Sequence, residues 1–203
     1  RFYVPSEATA RSQFGIMTGV PDVSSYKTAS RNPLIVDQNV ILNFFKGYHK
    51  LYFLGGNANW GQIRSVFTHN IEGIEVVEEG QFDSPVMDVW GISDLDLFKE
   101  ADKKLKTVKA PFVAVIQMAS FHRPYTIPSN SDDFKPDTSL TEEEAIANGF
   151  ISVAEYNSLR FADYSIHRFL EIAKKSPYYE NTIFVFWGDH GLTDNGVPEH
   201  VPK

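Results

Sequence analysis

The sequence predicts an α/β fold built on a mainly parallel sheet flanked by helices. Three observations carry this. Segments 111–119 (PFVAVIQMA) and 183–187 (IFVFW) are short, almost wholly apolar runs rich in aromatic and β-branched residues, the pattern of strands covered on both faces. Helical periodicity alternates with them, at 95–108 and 153–175, as in chains that wind a parallel sheet. The apolar runs also stop abruptly on glycine or polar residues. Strand 50–54 ends at GGNANW, 111–119 at Ser120, Phe121 and His122, and 183–187 at Gly188, Asp189 and His190. If these strands are parallel, their ends share the edge of the sheet where such folds bind ligands.

Taken in order, residues 1–12 form a polar entry, and 12–18 open a short helix that Gly19 and Pro21 terminate. Residues 33–45 place Leu34, Ile35, Val40, Ile41, Phe44 and Phe45 at helical spacing, closed by Gly47. Strand 50–54 follows, then a helix over 60–69 and a strand over 74–78. Helix 95–108 has Ser93 as its N-cap. After strand 111–119 comes a Ser/Asp/Pro-rich loop over 126–140, long enough for a functional cover or a mobile segment. LTEEEAIANG gathers carboxylates in a first helical turn, where they suit the dipole. Helix 153–175, the longest, carries Leu159, Ala162, Ile166, Phe169, Leu170 and Ala173 on one stripe, and strand 183–187 ends the pattern. No repeat or low-complexity tract interrupts it.

The 203 residues suffice for one domain of ordinary size with a real core. A net charge of −7 argues against non-specific nucleic-acid binding, but not against a phosphate-bearing substrate, since a metal supplies local positive charge. With no cysteine, disulfides and thiolate zinc sites are impossible. No apolar run approaches the roughly 18 residues that span a bilayer. The chain opens on Arg1 and stops at Lys203 just after a site-like loop, the pattern expected of a piece of a longer protein.

Several residues have chemistry to offer. Asp189 and His190 pair a carboxylate with an imidazole, a usual donor couple for a divalent metal; the alternative is a polar turn with Asp189 as local cap. His122, in SFHRPY, is either a functional strand-end histidine or a hydrogen-bonded loop residue. Thr9 and Ser12, beside Arg11 in EATARSQF, precede a helix start. Either hydroxyl can cap the helix, or it can act as a nucleophile, an alkoxide there being favoured electrostatically. Trp60 and Arg64, one helical turn apart, either frame an anionic headgroup or merely pack and meet solvent. His49, His69, His167 and His200 read as structural, and Glu78 and Glu79 as a solvated turn. There is no phosphate-binding glycine loop and no nucleophile elbow.

Four segments in order, ATARSQFGIMTGVPD, YFLGGNANW, PFVAVIQMASFHRPYTIP and NTIFVFWGDHG, together resemble the sulfatase-like branch of the alkaline phosphatase superfamily, in particular the lipoteichoic acid synthase and phosphoglycerol transferase group. The similarity covers nearly the whole chain, and GDHG after an apolar strand is its most specific element. The resemblance implies an alkaline phosphatase-like fold, with residues 1–203 as the central part of one catalytic domain, lacking its first strand and its C-terminal part. It implies that Thr9 is a nucleophile that ligates the metal and is transiently phosphorylated, and that Asp189 and His190 are metal ligands. His122 would contact the substrate phosphate or assist proton transfer; Trp60 and Arg64 fall near substrate-contacting positions. Asn57 stands where many relatives carry an acidic residue.

The resemblance places a further acidic ligand on a strand before the nucleophile, ahead of Arg1. It also implies one divalent metal ion, with oxygen-rich ligation favouring manganese or magnesium and the imidazole permitting zinc. Sulfatases that use formylglycine make it from cysteine or serine. The corresponding stretch reads T-A-R-S, and its threonine, Thr9, cannot become formylglycine, which turns the chemistry toward phosphoryl groups. The expected activity is therefore metal-dependent transfer of a phosphoglycerol- or phosphoethanolamine-type lipid headgroup through phospho-threonine. The alternatives are a phosphodiesterase or sulfatase-type hydrolase of the same superfamily, and an inactive ligand-binding relative. The implied partners are a phosphate-bearing lipid or glycan and, through N-terminal helices of a longer protein, a membrane. The implied location is the extracytoplasmic face of a bacterial inner membrane.

Overall fold

The computed structural model describes residues 6, 8–22, 37–109 and 111–191. Their order is α1 (Thr9–Thr18), β1 (His49–Leu54), α2 (Ile63–Asn70), β2 (Ile74–Val77), α3 (Asp94–Leu105), β3 (Phe112–Gln117), α4 (Glu142–Ala147) and α5 (Val153–Ala173), with short 3-10 turns between. The three strands form one parallel sheet in the order β2-β1-β3. The chain leaves β1 through α2 to reach β2 on one side, then crosses by α3 to β3 on the other.

The register explains why β1 reads as continuously apolar. Leu51 lies between Glu75 and Ala114, and Tyr52 between Val76 and Val115. Side chains alternate across the sheet. Tyr52 and Leu54 join Val115 and the helical residues Phe14, Met17, Ile63 and Phe67 on one face. Leu51 and Phe53 join Val77, Leu97, Ala101 and Leu105 of α3 on the other. A central strand covered on both faces has no solvent side, so α1 and α2 form one outer layer and α3 the other. Helix α5 packs outside α3, with Phe98 stacked on Phe169 at 4.7 Å.

The helix signals act as their chemistry requires. Ser93 caps α3 by accepting from the Asp96 amide at 3.1 Å. Thr141 and Glu144 close a reciprocal capping box on α4. Helix α1 starts three residues earlier than its pattern suggests, with Ala8 in the cap position and no side-chain cap bond, and Gly19 ends it in a left-handed conformation.

Four expectations are corrected. Residues 183–187 form no strand: Ile183, Val185 and Phe186 are 91%, 67% and 53% exposed, while Phe184 packs against α5 and Trp187 against the α1–α2 face. Strand formation needs a partner strand, and none among the described residues pairs here. The helix expected over 33–45 is a single 3-10 turn, Ile41–Phe44, with Ile41 and Phe44 exposed; residues 33–36 lie outside the described ones. The helix expected over 60–69 is broken, because Gly61 and Gln62 both have φ of 57°. Leu159, placed on the buried stripe of α5, is exposed. The 126–140 loop is stapled down: Phe134 is buried against Phe161, and Asp137 and Asn157 exchange two hydrogen bonds.

Candidate active site

Three of the expected residues come together. The Thr9 hydroxyl lies 3.1 Å from Nε2 of His190. The Asp189 carboxylate lies 3.4 Å from the same nitrogen. The other ring nitrogen of His190 lies 2.8 Å from the Gly191 carbonyl. A carbonyl can only accept, so Nδ1 carries a proton, and in the neutral ring the Nε2 lone pair is turned toward Thr9 and Asp189, the geometry of a metal-binding imidazole. Asp189 Oδ1 accepts from the His190 amide at 2.9 Å, which fixes the carboxylate beside the ring.

Thr9 is the first residue of α1, not its cap. Its hydroxyl therefore stands at a helix N-terminus whose first amides have no side-chain acceptor and whose first turn holds no acidic residue. Amide donors and the positive end of the dipole there favour an anion. Arg11 adds a cation in the same turn, held 3.6 Å from Asp22. Ser12 is fully buried and bonds the Ser6 carbonyl at 3.3 Å, which turns its hydroxyl to structure.

Tyr52 and Gln117, from β1 and β3, share a hydrogen bond near the strand ends. Burial first, and the Asp189 charge second, push the Tyr52 hydroxyl above its ordinary range, so it stays a neutral donor. The Asp189 charge thus reaches the centre of the sheet.

A second group is aromatic. Trp60 packs edge-on against Trp90 with ring centroids 5.4 Å apart, and Trp90 lies 4.1 Å from the His122 ring. The residue after Trp60 brings this group near the start of α1: a Cβ on Gly61 would sit 3.5 Å from the methyl of Ala10, the residue after Thr9. His122 is exposed, with Nδ1 3.0 Å from the Arg123 carbonyl. Arg64 takes a different course. The kink at Gly61 and Gln62 separates it from Trp60, and its guanidinium pairs with Glu78 and with Asn59 Oδ1 at 3.3 Å. Glu78, read as solvated, is buried and also accepts the Ala58 amide at 2.5 Å. Its signal was hidden because a single carboxylate after a strand looks the same whether it faces water or a backbone amide.

Two further residues were missed. Trp90, in DVWGIS, carried no motif. Asp94, in the first turn of α3, is buried and accepts from the Ala119 and Ser120 amides at 2.8 and 3.1 Å, which ties α3 to the end of β3. Burial raises its pKa from 3.8 to about 6 against the pull of those bonds. His200 lies outside the described residues.

The parallel sheet covered by helices is alkaline phosphatase-like in fold. A protein of the alkaline phosphatase superfamily from Vibrio parahaemolyticus superposes with a TM-score of 0.69 at 26% identity, over 87% of this chain and 41% of that one. The chain belongs to the sulfatase family, whose profile matches residues 1–201. It is 25% identical over 200 residues to the lipoteichoic acid synthase of Staphylococcus saprophyticus, spanning 92% of this chain but only 28% of that protein. The fold also matches a lipoteichoic acid synthase from Listeria monocytogenes (TM-score 0.77, 18% identity, 97% of this chain and 47% of that one). It matches as well a phosphoglycerol transferase from Streptococcus pyogenes, solved with sn-glycerol-1-phosphate (TM-score 0.55, 17% identity, 86% and 46%). No helix among the described residues is long and apolar enough to cross a membrane.

Proposed function

We propose that the protein transfers a phosphoryl group bearing a glycerol- or ethanolamine-type headgroup, through a phosphorylated Thr9. The observation that carries this reading is the Thr9 hydroxyl at the open N-terminus of α1, 3.1 Å from an imidazole nitrogen whose lone pair faces it. The names of the sulfatase-family relatives, lipoteichoic acid synthases and a phosphoglycerol transferase, support the substrate class.

Thr9, Asp189 and His190 supply a hydroxyl, a carboxylate and an imidazole nitrogen within a few ångströms, a donor set that fits a divalent cation of the manganese, magnesium or zinc type, manganese first. It is a partial set: no cluster of three His, Cys, Asp or Glu occurs among the described residues. Bound there, the metal would supply the positive charge that stabilises Thr9 as an alkoxide and withdraws charge from the phosphoryl oxygens.

The chain's own residues do the rest. The α1 amides orient the phosphoryl oxygens. Thr9 Oγ1, entering as the alkoxide with its proton already lost to solvent, forms a bond to phosphorus as the bond from phosphorus to the departing alcohol breaks, and His122, entering as the imidazolium, gives that alcohol its Nε2 proton. In the second half an acceptor alcohol attacks phosphorus, Thr9 is released, and His122 takes the acceptor's proton. Trp60 lies against the headgroup. Arg64, engaged by Glu78, holds the Trp60 turn rather than the anion. The substrate is a phosphate-bearing lipid or glycan rather than a nucleic acid. The reaction takes place on the extracytoplasmic side of a bacterial membrane, to which other parts of a longer protein anchor the domain.

The experiment is to quench turnover and map phosphate by mass spectrometry, with and without an acceptor alcohol. Phosphate on Thr9, and a product carrying the acceptor, are expected. Turnover with no trapped intermediate and no acceptor in the product would leave a hydrolase.

A further inference from the structure

Trp90 is the residue whose environment is most built and least explained. Its indole N–H donates to the Arg123 carbonyl at 2.6 Å. The same oxygen lies 3.0 Å from His122 Nδ1. A carbonyl only accepts, so both nitrogens donate to it, and the one imidazole nitrogen left for a substrate is Nε2. The indole and imidazole ring centroids lie 4.1 Å apart, the planes tilted by 49°, and Trp60 packs edge-on against the same indole at 5.4 Å. One side chain thus fixes the ring position and the free nitrogen of His122 while bracing Trp60.

The backbone beneath Trp90 is equally set. Gly91 has φ of 102°, and a Cβ there would fall 1.9 Å from the Gly55 carbonyl. A Cβ on Gly56 would fall 2.5 Å from the Trp90 carbonyl. The 90–91 and 55–56 peptides therefore cross in direct contact at the end of β1, and only glycine permits that approach. Asp88 accepts from the Trp90 amide at 2.8 Å, and Gly55 from the Ile92 amide at 3.1 Å. A turn held this tightly aims its side chain rather than letting it wander. It packs against Trp60, and the residue after Trp60, Gly61, lies close enough to Ala10, the neighbour of Thr9 in α1, that a Cβ there would come within 3.5 Å of the Ala10 methyl.

We propose that Trp90 is a positioning residue that joins Trp60 and His122 into one aromatic wall beside Thr9, and that the wall selects phosphate esters of a polyol over bare phosphate. This rests on the phosphoryl-transfer reading above. Phosphate itself needs only amides, charge and Thr9. The carbon side of a glyceryl or glycosyl ester presents C–H groups, which pack on aromatic faces while hydroxyls stay wet. Arg123 offers its backbone carbonyl to the wall, and Trp60, 46% exposed, keeps a face open.

The test measures, in the full-length protein with a divalent metal present, the affinities for inorganic phosphate and for sn-glycerol-1-phosphate. The wild type should prefer the ester. Trp90→Leu should weaken the ester about tenfold, the scale of one aromatic contact, and leave phosphate within about twofold. Trp90→Phe, which keeps a ring but loses the donor to Arg123, should lower the ester-to-phosphate ratio about threefold and decides the matter if the leucine variant does not fold. Ratios unchanged from wild type, or both ligands weakened in parallel, overturn the role of Trp90. A wild type that binds both ligands equally overturns the wall while leaving phosphoryl transfer standing. A wild type that binds neither overturns phosphoryl transfer itself, and the wall with it.

Discussion

At the scale of single residues, position within a helix decides what a substitution measures. Thr9 is the first residue of α1 and Ala8 is the cap, so removing the threonine side chain deletes no cap bond. Alanine is also the better helix former. Thr9→Ala should therefore change stability by less than about 1 kcal/mol, the scale of its lost bond to His190, while turnover falls by several orders of magnitude. Thr9→Ser keeps a hydroxyl and should keep measurable turnover. Kinetics paired with urea unfolding separates the two effects, and wild-type turnover in Thr9→Ala would end the nucleophile assignment. Arg64 behaves in the opposite way. Arg64→Ala leaves the buried Glu78 carboxylate with the Ala58 amide but no cation, and should cost roughly 1–3 kcal/mol of stability. Arg64→Lys should recover part of it. An Arg64→Ala variant as stable as wild type but weak in phosphate affinity would return Arg64 to the substrate.

At the scale of elements, the legible features were those whose information is local. The cap at Ser93, the acidic first turn of α4, the unbroken apolar run of β1 and the long period of α5 are written in adjacent residues, and each forms where expected. The site pair Asp189–His190 was legible for the same reason: two donors adjoin at a glycine-fenced turn. Segment 183–187 was not, because a strand is a relation to a partner and its own sequence cannot carry it. Nor was the break at Gly61 and Gln62, where two successive residues of positive φ interrupt a helical pattern. Trp90 became significant only through neighbours 30 and 32 residues away, at Trp60 and His122.

The α3 start offers a pH test at this scale. Asp94 has a folded pKa of about 6 against an ordinary 3.8, with burial as the main cause. A raised carboxyl pKa means that folding favours the protonated form. The stability it contributes is fully present below about pH 4 and is lost as pH rises through 6, on the order of 3 kcal/mol in all. Exposed acids with lowered values, such as Asp83 and Asp137, act with the opposite sign, losing stability as pH falls below their ordinary range. Glu75 and Glu171, lowered from 4.5, act with that opposite sign at the acid end of the window between pH 4 and 7, so comparison with Asp94→Asn is what isolates the aspartate. Urea unfolding across that window should show stability declining with pH in wild type and a flatter profile in Asp94→Asn. Parallel profiles would mean that Asp94 titrates at its ordinary value.

At the scale of the whole molecule, the site joins residues 181 positions apart: α1 contributes Thr9, and the turn after residue 187 contributes Asp189 and His190. Between them lie the entire sheet and both helical layers. A ligand held by both ends cannot bind the unfolded chain with the same geometry, so binding must stabilise the fold as a whole. Saturating a divalent metal at about 100 times its dissociation constant should add about 2.7 kcal/mol to the unfolding free energy. For a chain of this length, each kcal/mol raises the thermal midpoint by about 2–4 °C. Manganese should thus raise the midpoint by several degrees, and a chelator should reverse it. A net charge of −7 means that any added cation also relieves some self-repulsion, so sodium at matched ionic strength sets the baseline. Asp189→Asn and His190→Ala should each remove most of the increment above that baseline. Trp90→Phe, which alters the wall but none of Thr9, Asp189 and His190, should keep it. A manganese increment that survives in both donor variants would place the ion elsewhere on the acidic surface, and the chemistry assigned to Thr9 would then have to proceed without a metal at this site.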